Sequence, residues 1–273
     1  MTRVPVGPYL FNMGHMTVSK DLMKKTDKWD MITGLNMGLT AELLSEKNKY
    51  TREMLDEYAV RSHKLAGVAE LDGFLAGEIN PLDGQTQGGV LCCVDHDTSV
   101  RPLTDITKLS QLKTAFKEGG VITAGNSSPL TTGAAGMVLM SEEMAVKKGL
   151  NPIARIVSTG TVGTRPEMMG TGPVPASKAA LKNAGYRVKD VDYWDINEAF
   201  SCVVLNAVDS LRLDIDRVNV NGGAISIGHP LGASGVRLVG TLARTLSQRN
   251  AKIGCAAACI GGGQGIATII ERI

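Results

Sequence analysis

His229 and Cys259 are the two side chains best suited to covalent chemistry, and each sits in a run of glycines. His229 lies in NGGAISIGHPLGASG at 221–235, between Gly228 and Pro230 with Gly232 and Gly235 close behind. Cys259 opens CIGGGQG at 259–265. Proline restricts the backbone before it and glycine lets main chain approach another element, so the imidazole in such a turn is held in one place. A fixed imidazole can activate a thiol or donate a hydrogen bond to a developing oxyanion. A thiol near glycine amides and a histidine can serve as nucleophile or proton shuttle, because its ordinary pKa of about 8.5 is easily lowered. The alternatives are a core or capping histidine and a small buried hydrophobe.

Asn197 directly follows the strand-like VDYWDI and precedes a helix, a place where α/β folds present polar side chains to ligands. Its amide can donate to a carbonyl oxygen or hold a water that does; capping the next helix is the other reading. Glu198 beside it reads as a structural brace. Ser128, in TAGNSSP, is a candidate ligand contact or an ordinary turn serine. Cys202 falls in a helical run, Cys255 in an apolar strand, and Cys92 and Cys93 in a β-like run, all settings of small hydrophobes. No cysteine or serine upstream occupies a strand-to-helix nucleophile turn, so the pattern is most of an acyl-transfer site without its attacking group.

The elements that must position these groups follow from periodicity and punctuation. Residues 1–36 read as irregular, and 37–45 as helical. Thr51 can cap a second helix that runs to about Phe74. The stretch 77–102 is an excursion with a strand near 90–94. From Val121 the pattern becomes regular: a helix at 142–148, a strand in ARIVSTGTVG, and a helix with Pro175 in its first turn that stops at Gly185. A strand at 191–196, a helix from about 199 to 211, a strand in VNVN, a helix at 234–246 and strands at 251–256 and 266–271 complete it. This alternation predicts a layered α/β fold with mixed β-sheets covered by helices. The boundary expected is residues 1–120 as an incomplete N-terminal unit and 121–273 as a complete C-terminal domain.

Composition excludes several functions. The chain has 273 residues, 43% of them apolar, and a formal charge of +2 with no basic run, which argues against nucleic-acid binding. Five cysteines, odd in number and unevenly spaced, favour a reducing compartment, hence a cytoplasmic setting, over a disulfide scaffold. The ligand spacing of a zinc site is absent, so no metal is expected. Neither a signal peptide nor a membrane span is expected.

The segments MTRVP, MGLTAE, REMLDEYAVRSHKLA, TAGNSS, GPVPASKAAL, NEAF, NGGAISIGHPLGASG and CIGGGQGIATIIER span nearly the whole chain. Together they resemble the thiolases, acyl-CoA C-acyltransferases, and within them the β-oxidation type. The resemblance implies thiolytic cleavage of 3-ketoacyl-CoA by coenzyme A and the reverse Claisen condensation, with no tightly bound cofactor. It implies that Cys259 exchanges the substrate α-proton and that His229 activates the nucleophile. His229 and a water held by Asn197 would form one oxyanion hole, and the amide of Gly261 would contribute to the other. Ser128 matches a coenzyme A contact and Met37 a segment lining the acyl site. The family's N-terminal nucleophile segment has no counterpart here, so the resemblance covers the C-terminal two-thirds of such an enzyme. A second polypeptide carrying that segment and a homo-oligomer are the expected partners. A noncatalytic acyl-CoA-binding or interaction module is the alternative.

Overall fold

Side-chain caps start the first helices where the turn residues stand. The structure, a computed structural model, describes residues 3–6, 9–12, 36–85 and 88–273. Helix α1 (Met37–Asn48) begins where Asn36 accepts a hydrogen bond from the Leu39 amide at 2.8 Å, and α2 (Arg52–Leu71) where Thr51 accepts from Met54 at 3.2 Å. The irregular reading of 1–36 needs correction: β1 (Arg3–Val6) and β2 (Tyr9–Asn12) pair antiparallel, with Val6 opposite Tyr9. Val and aromatic residues on both sides of Gly7–Pro8 favour extended chain there. The remainder of that stretch, 13–35, lies outside the described residues. In the excursion, β3 (Leu82–Gln85) pairs with β4 (Leu91–Val94), the strand expected at 90–94.

The C-terminal part is built on one mixed sheet. After the short helices α3 (Ile106–Ser110) and α4 (Glu142–Lys147) come β5 (Ala154–Gly163), α5 (Pro173–Ala184), β6 (Tyr193–Ile196), α6 (Ser201–Leu211), α7 (Ala224–Ile227) and α8 (Ser234–Gln248). Strands β7 (Ile253–Ile260) and β8 (Gln264–Arg272) close the chain. The strand order is β5-β8-β7-β6; β6 and β7 run parallel and the other pairs antiparallel. Helix α5 enters at Pro173, with Pro175 still in its first turn, and leaves through Gly185 at φ 74°.

Strand alternation divides the core. Cys255, Ala257, Ala267 and Ile269 pack with Ala176 and Ala180 of α5 and Val204 and Ala207 of α6. Their neighbours Ala256 and Ile270 face the opposite way, onto Leu238, Leu242 and Leu246 of α8. Helices therefore cover both faces of this sheet, as the sequence led one to expect. A third cluster joins Ala41 and Leu44 of α1 to Met169, Phe200 and Val203, and so places α1 beside the loop after β6.

VNVN is not a strand. Val218 makes a single parallel bridge to Trp194, and the next residue, Asn219, turns left-handed at φ 50°. The Asn219 side chain does what a strand's main chain would do: Oδ1 accepts from the Ile196 amide at 2.7 Å and Nδ2 donates to the Ile196 carbonyl at 2.8 Å. One amide side chain substitutes for a peptide unit, which frees the backbone to enter the glycine turn.

Candidate active site

The parallel strands β6 and β7 end side by side, and the residues just past those ends form the site. Ile196 is in register with Ala257, and the Asn197 amide donates to the Ala257 carbonyl at 2.8 Å. Cys259 follows shortly on β7. Its strand turns into β8 through Gly262 and Gly263, both left-handed, at φ 81° and 79°. Any Cβ at Gly263 would lie 2.5 Å from the Thr164 carbonyl oxygen, so only glycine permits the turn to lie against that chain.

Asn197 is fully buried and does not cap α6, whose N-cap is Phe200. Its Nδ2 meets His229 Nε2 at 3.2 Å, while its Oδ1 is buried with no hydrogen-bond partner among the described residues. On the other side of the ring, Nδ1 lies 2.6 Å from Ser234 Oγ, which donates on to the Pro230 carbonyl at 3.1 Å. An amide NH2 only donates, so Nε2 is the acceptor and Nδ1 carries the proton, handing it to a hydroxyl whose own proton is already committed. The His229 amide donates to Thr131 Oγ1 at 2.8 Å. Burial first, and the Arg237 cation second, lower the ring's pKa to about 4. The ring is a neutral base with its lone pair toward Asn197.

Glu198, read as a brace, fixes the loop that carries Asn197. Its fully buried carboxylate accepts from Tyr58 Oη at 2.7 Å, Ser62 Oγ at 2.7 Å, Asn219 Nδ2 at 3.0 Å and the Ile225 amide at 3.0 Å. Gly223 has no room for a side chain, since a Cβ there would come within 2.4 Å of the Glu198 carboxyl carbon. The loop after β6, the glycine turn and α2 therefore meet at one buried carboxylate.

Cys259, Met37 and Ala199 pack, partly buried, against the cluster of Leu44, Phe200 and Val203. Burial pushes the Cys259 thiol up to about 12, the opposite of the lowering expected for a thiol in that glycine turn, so it is a neutral thiol that needs a base to ionise. Met37 also reaches Gly261, where a Cβ would lie 3.3 Å from its sulfur. The structure thus groups Asn197 with His229, and Met37 with Cys259 and Gly261, around the same loop. Ser128 joins them through Ala199, whose carbonyl accepts from the Ser128 amide at 3.0 Å and hydroxyl at 3.2 Å.

Two positioning residues escaped sequence reasoning. Ser234, at the start of α8, lies five residues past His229 in HPLGAS, and that fixed spacing was the available signal. Asn126 straps TAGNSS in place: its Nδ2 donates to Asp56 Oδ1 at 2.8 Å, its Oδ1 accepts from the Thr123 amide at 2.8 Å, and its carbonyl accepts from Ser201 at 3.0 Å. A cavity of about 330 Å3 beside α2, lined by Glu70, Leu75, His96 and Asp97 among others, contains none of the site residues.

Comparison with known proteins identifies the family. The family model described as thiolase, N-terminal domain, matches residues 4–143, and that described as thiolase, C-terminal domain, matches residues 150–272. The 3-ketoacyl-CoA thiolase of Marinobacter nauticus is 46% identical over 268 residues, 96% of this chain and 68% of that protein. The crystal structure of Bacillus anthracis acetyl-CoA acetyltransferase superposes with a TM-score of 0.88 at 37% identity, covering 99% of this chain and 66% of that one. Human mitochondrial 3-ketoacyl-CoA thiolase in complex with CoA gives a TM-score of 0.81 at 40% identity, over 90% of this chain and 61% of that one. The chain spans about two thirds of the length of these relatives. With the layered α/β fold, the family models and the relatives in agreement, the chain belongs to the thiolase family of acyltransferases.

Proposed function

We propose that this chain supplies the acid/base and oxyanion-binding part of a 3-ketoacyl-CoA thiolase site, with the acyl-accepting cysteine coming from polypeptide outside these 273 residues. The observation that carries the reading is the Asn197–His229 contact at 3.2 Å, with the buried Asn197 Oδ1 left free to hold a water. His229 Nε2 takes the proton of the attacking thiol as sulfur adds to the 3-keto carbon. The resulting Nε2–H then donates to oxyanion charge beside the Asn197-bound water. When the C2–C3 bond breaks, the electron pair passes to the acetyl thioester as an enolate, and its α-carbon takes the proton of the neutral Cys259 thiol. In this reading the amide of Gly261 contributes to the second oxyanion hole. The Cys259 thiolate then takes the proton of the coenzyme A thiol, whose sulfur displaces the acyl group while the proton on His229 Nε2 returns to the departing thiolate; the reverse sequence is Claisen condensation.

Coenzyme A and acyl-CoA are substrates in this reading, Ser128 contacts the carrier and Met37 lines the acyl site. The unit 121–273 works as the C-terminal domain and 1–120 as part of the N-terminal one. Exposed Leu130, Val138, Leu139 and Val146 support a covering partner, either a second copy or a chain bearing the nucleophile segment. All five cysteines are free, which supports a reducing, cytoplasmic setting. Among the described residues no helix is long and apolar enough to cross a membrane.

The test is reconstitution. The chain is mixed with a fragment bearing the nucleophilic cysteine, and cleavage of acetoacetyl-CoA is followed by loss of its enolate absorbance. Activity that appears on mixing and disappears in C259A and H229A supports the reading. Acyl-CoA binding without turnover or α-proton exchange in the mixture indicates a noncatalytic binding module instead.

A further inference from the structure

The two hydrogen-bond partners of His229 ride on different elements. Asn197 extends from the end of β6 and Ser234 begins α8, so the ring is held squarely only while those elements keep their separation. Asp195 and Arg237 lie across that gap. Asp195 is two residues before Asn197, and the residue in register with it on β7, Ala256, packs in the cluster beneath α8. Arg237 is one helical turn beyond Ser234, and its Nη1 meets Asp195 Oδ1 at 3.3 Å. Both side chains are withdrawn from solvent, at 6% and 16% exposure, and Arg237 Nη2 has no hydrogen-bond partner among the described residues. We propose that Asp195 and Arg237 are positioning residues for His229, bolting the start of α8 to the end of β6 so that Ser234 and Asn197 grip the two ring nitrogens together.

Energetics favour a positional role over a stabilising one. Once Asp195 ionises, its attraction to Arg237 recovers little more than the cost of desolvating both charges, so the pair adds little to stability that apolar packing would not. Burial pushes Asp195 up to about 7, with Arg237 opposing the rise and Glu198 and Glu78 adding to it. Arg237 is also the charged group that acts on His229, lowering its proton affinity. Glu78 itself accepts from Thr241 at 2.8 Å and faces Arg244 at 3.3 Å, and Asp97 stands within the field of Arg237. The pair therefore touches both the geometry and the charge state of the ring.

The biological meaning of this inference rests on the acyl-transfer reading of His229, but its test needs no substrate. The full chain is labelled with 15N-histidine; there are four histidines, and H229Q assigns the signals of His229. Long-range 1H–15N couplings then report its tautomer, and a pH titration reports its protonation. The wild type is expected to show one neutral tautomer with the proton on Nδ1. In D195N and R237Q the ring should populate both tautomers. R237Q should also raise the protonation midpoint by about one pH unit, because a nearby cation is removed. R237K keeps the cation and should hold the midpoint near the wild-type value. A wild-type tautomer in both D195N and R237Q overturns the proposal, even if the midpoint moves, since charge alone would then explain the effect. If R237Q does not fold, D195N decides: a folded D195N with a single wild-type tautomer overturns it. Failure of the thiolase reading would show as absent turnover with these ring signals still responding, which separates the two outcomes.

Discussion

Glu198 accepts the main-chain amide of Ile225 at 3.0 Å, so the loop that carries Asn197 and the glycine turn that leads to His229 are fastened to the same carboxylate. Truncating Glu198 to Ala removes the buried acceptor that serves the Tyr58 and Ser62 hydroxyls, the Asn219 amide and the Ile225 N–H together. A loss of about 3 kcal/mol or more is expected. Urea denaturation of E198A against wild type measures it, and a difference below about 1 kcal/mol would show that the brace is dispensable.

His229 makes stability depend on acid in a stated direction. Its pKa falls from 6.5 to about 4 on folding, so between those values the unfolded chain binds more protons than the native one. The contribution of the neutral ring is complete above 6.5, declines as pH drops, and is lost below about 4. Unfolding free energies of wild type and H229N, measured from pH 4 to 7, should differ by a term that rises with pH.

Asp195 works the other way. Its pKa rises from 3.8 to about 7, so the native state holds a proton that the unfolded chain has released. The stability associated with that proton is full below 3.8 and is lost as pH climbs through about 7. D195N should therefore become more stable relative to wild type as pH rises from 4 to 8. In the wild type the two residues offset each other over the mildly acidic range, and only the single variants expose either slope.

The cysteines should sort by access. Cys92 and Cys93 are exposed on β4, whereas burial drives Cys202, Cys255 and Cys259 up to about 12. Brief treatment of the folded chain with iodoacetamide at pH 7.5, followed by peptide mass spectrometry, should find the label on Cys92 and Cys93 well before the other three. Rapid labelling of Cys259 would mean that a base already reaches its sulfur in the free chain.

Local signals in the sequence were read faithfully where the structure is local. Thr51 ahead of α2, and Pro175 against Gly185 around α5, act through residues within one turn of themselves, so their meaning survives without knowledge of the fold. The glycines around His229 announce a close approach, yet nothing in them says that Thr131 and Ser234 are what is approached. Asn219 defeated the periodicity argument outright. In VNVN it alternates as a strand residue should, but its role is set by Ile196 and Glu198, which come from a segment more than twenty residues earlier. The proton affinity of Cys259 was equally invisible, because it depends on burial created by α1 and the loop at Phe200.

Asn219 also decides what cannot happen to this sheet. Among the described residues strand β6 is terminal in the order β5-β8-β7-β6, and at such a border a row of idle amides and carbonyls invites any extended peptide to add itself. At Ile196 both groups are already engaged by the two ends of the Asn219 amide, and at Trp194 the border is met by Val218. An intruding strand would have to strip off a buried amide that is itself anchored to Glu198. The same device that shapes the turn thus guards the chain against templated aggregation along that border, at the side of the molecule where two site residues emerge.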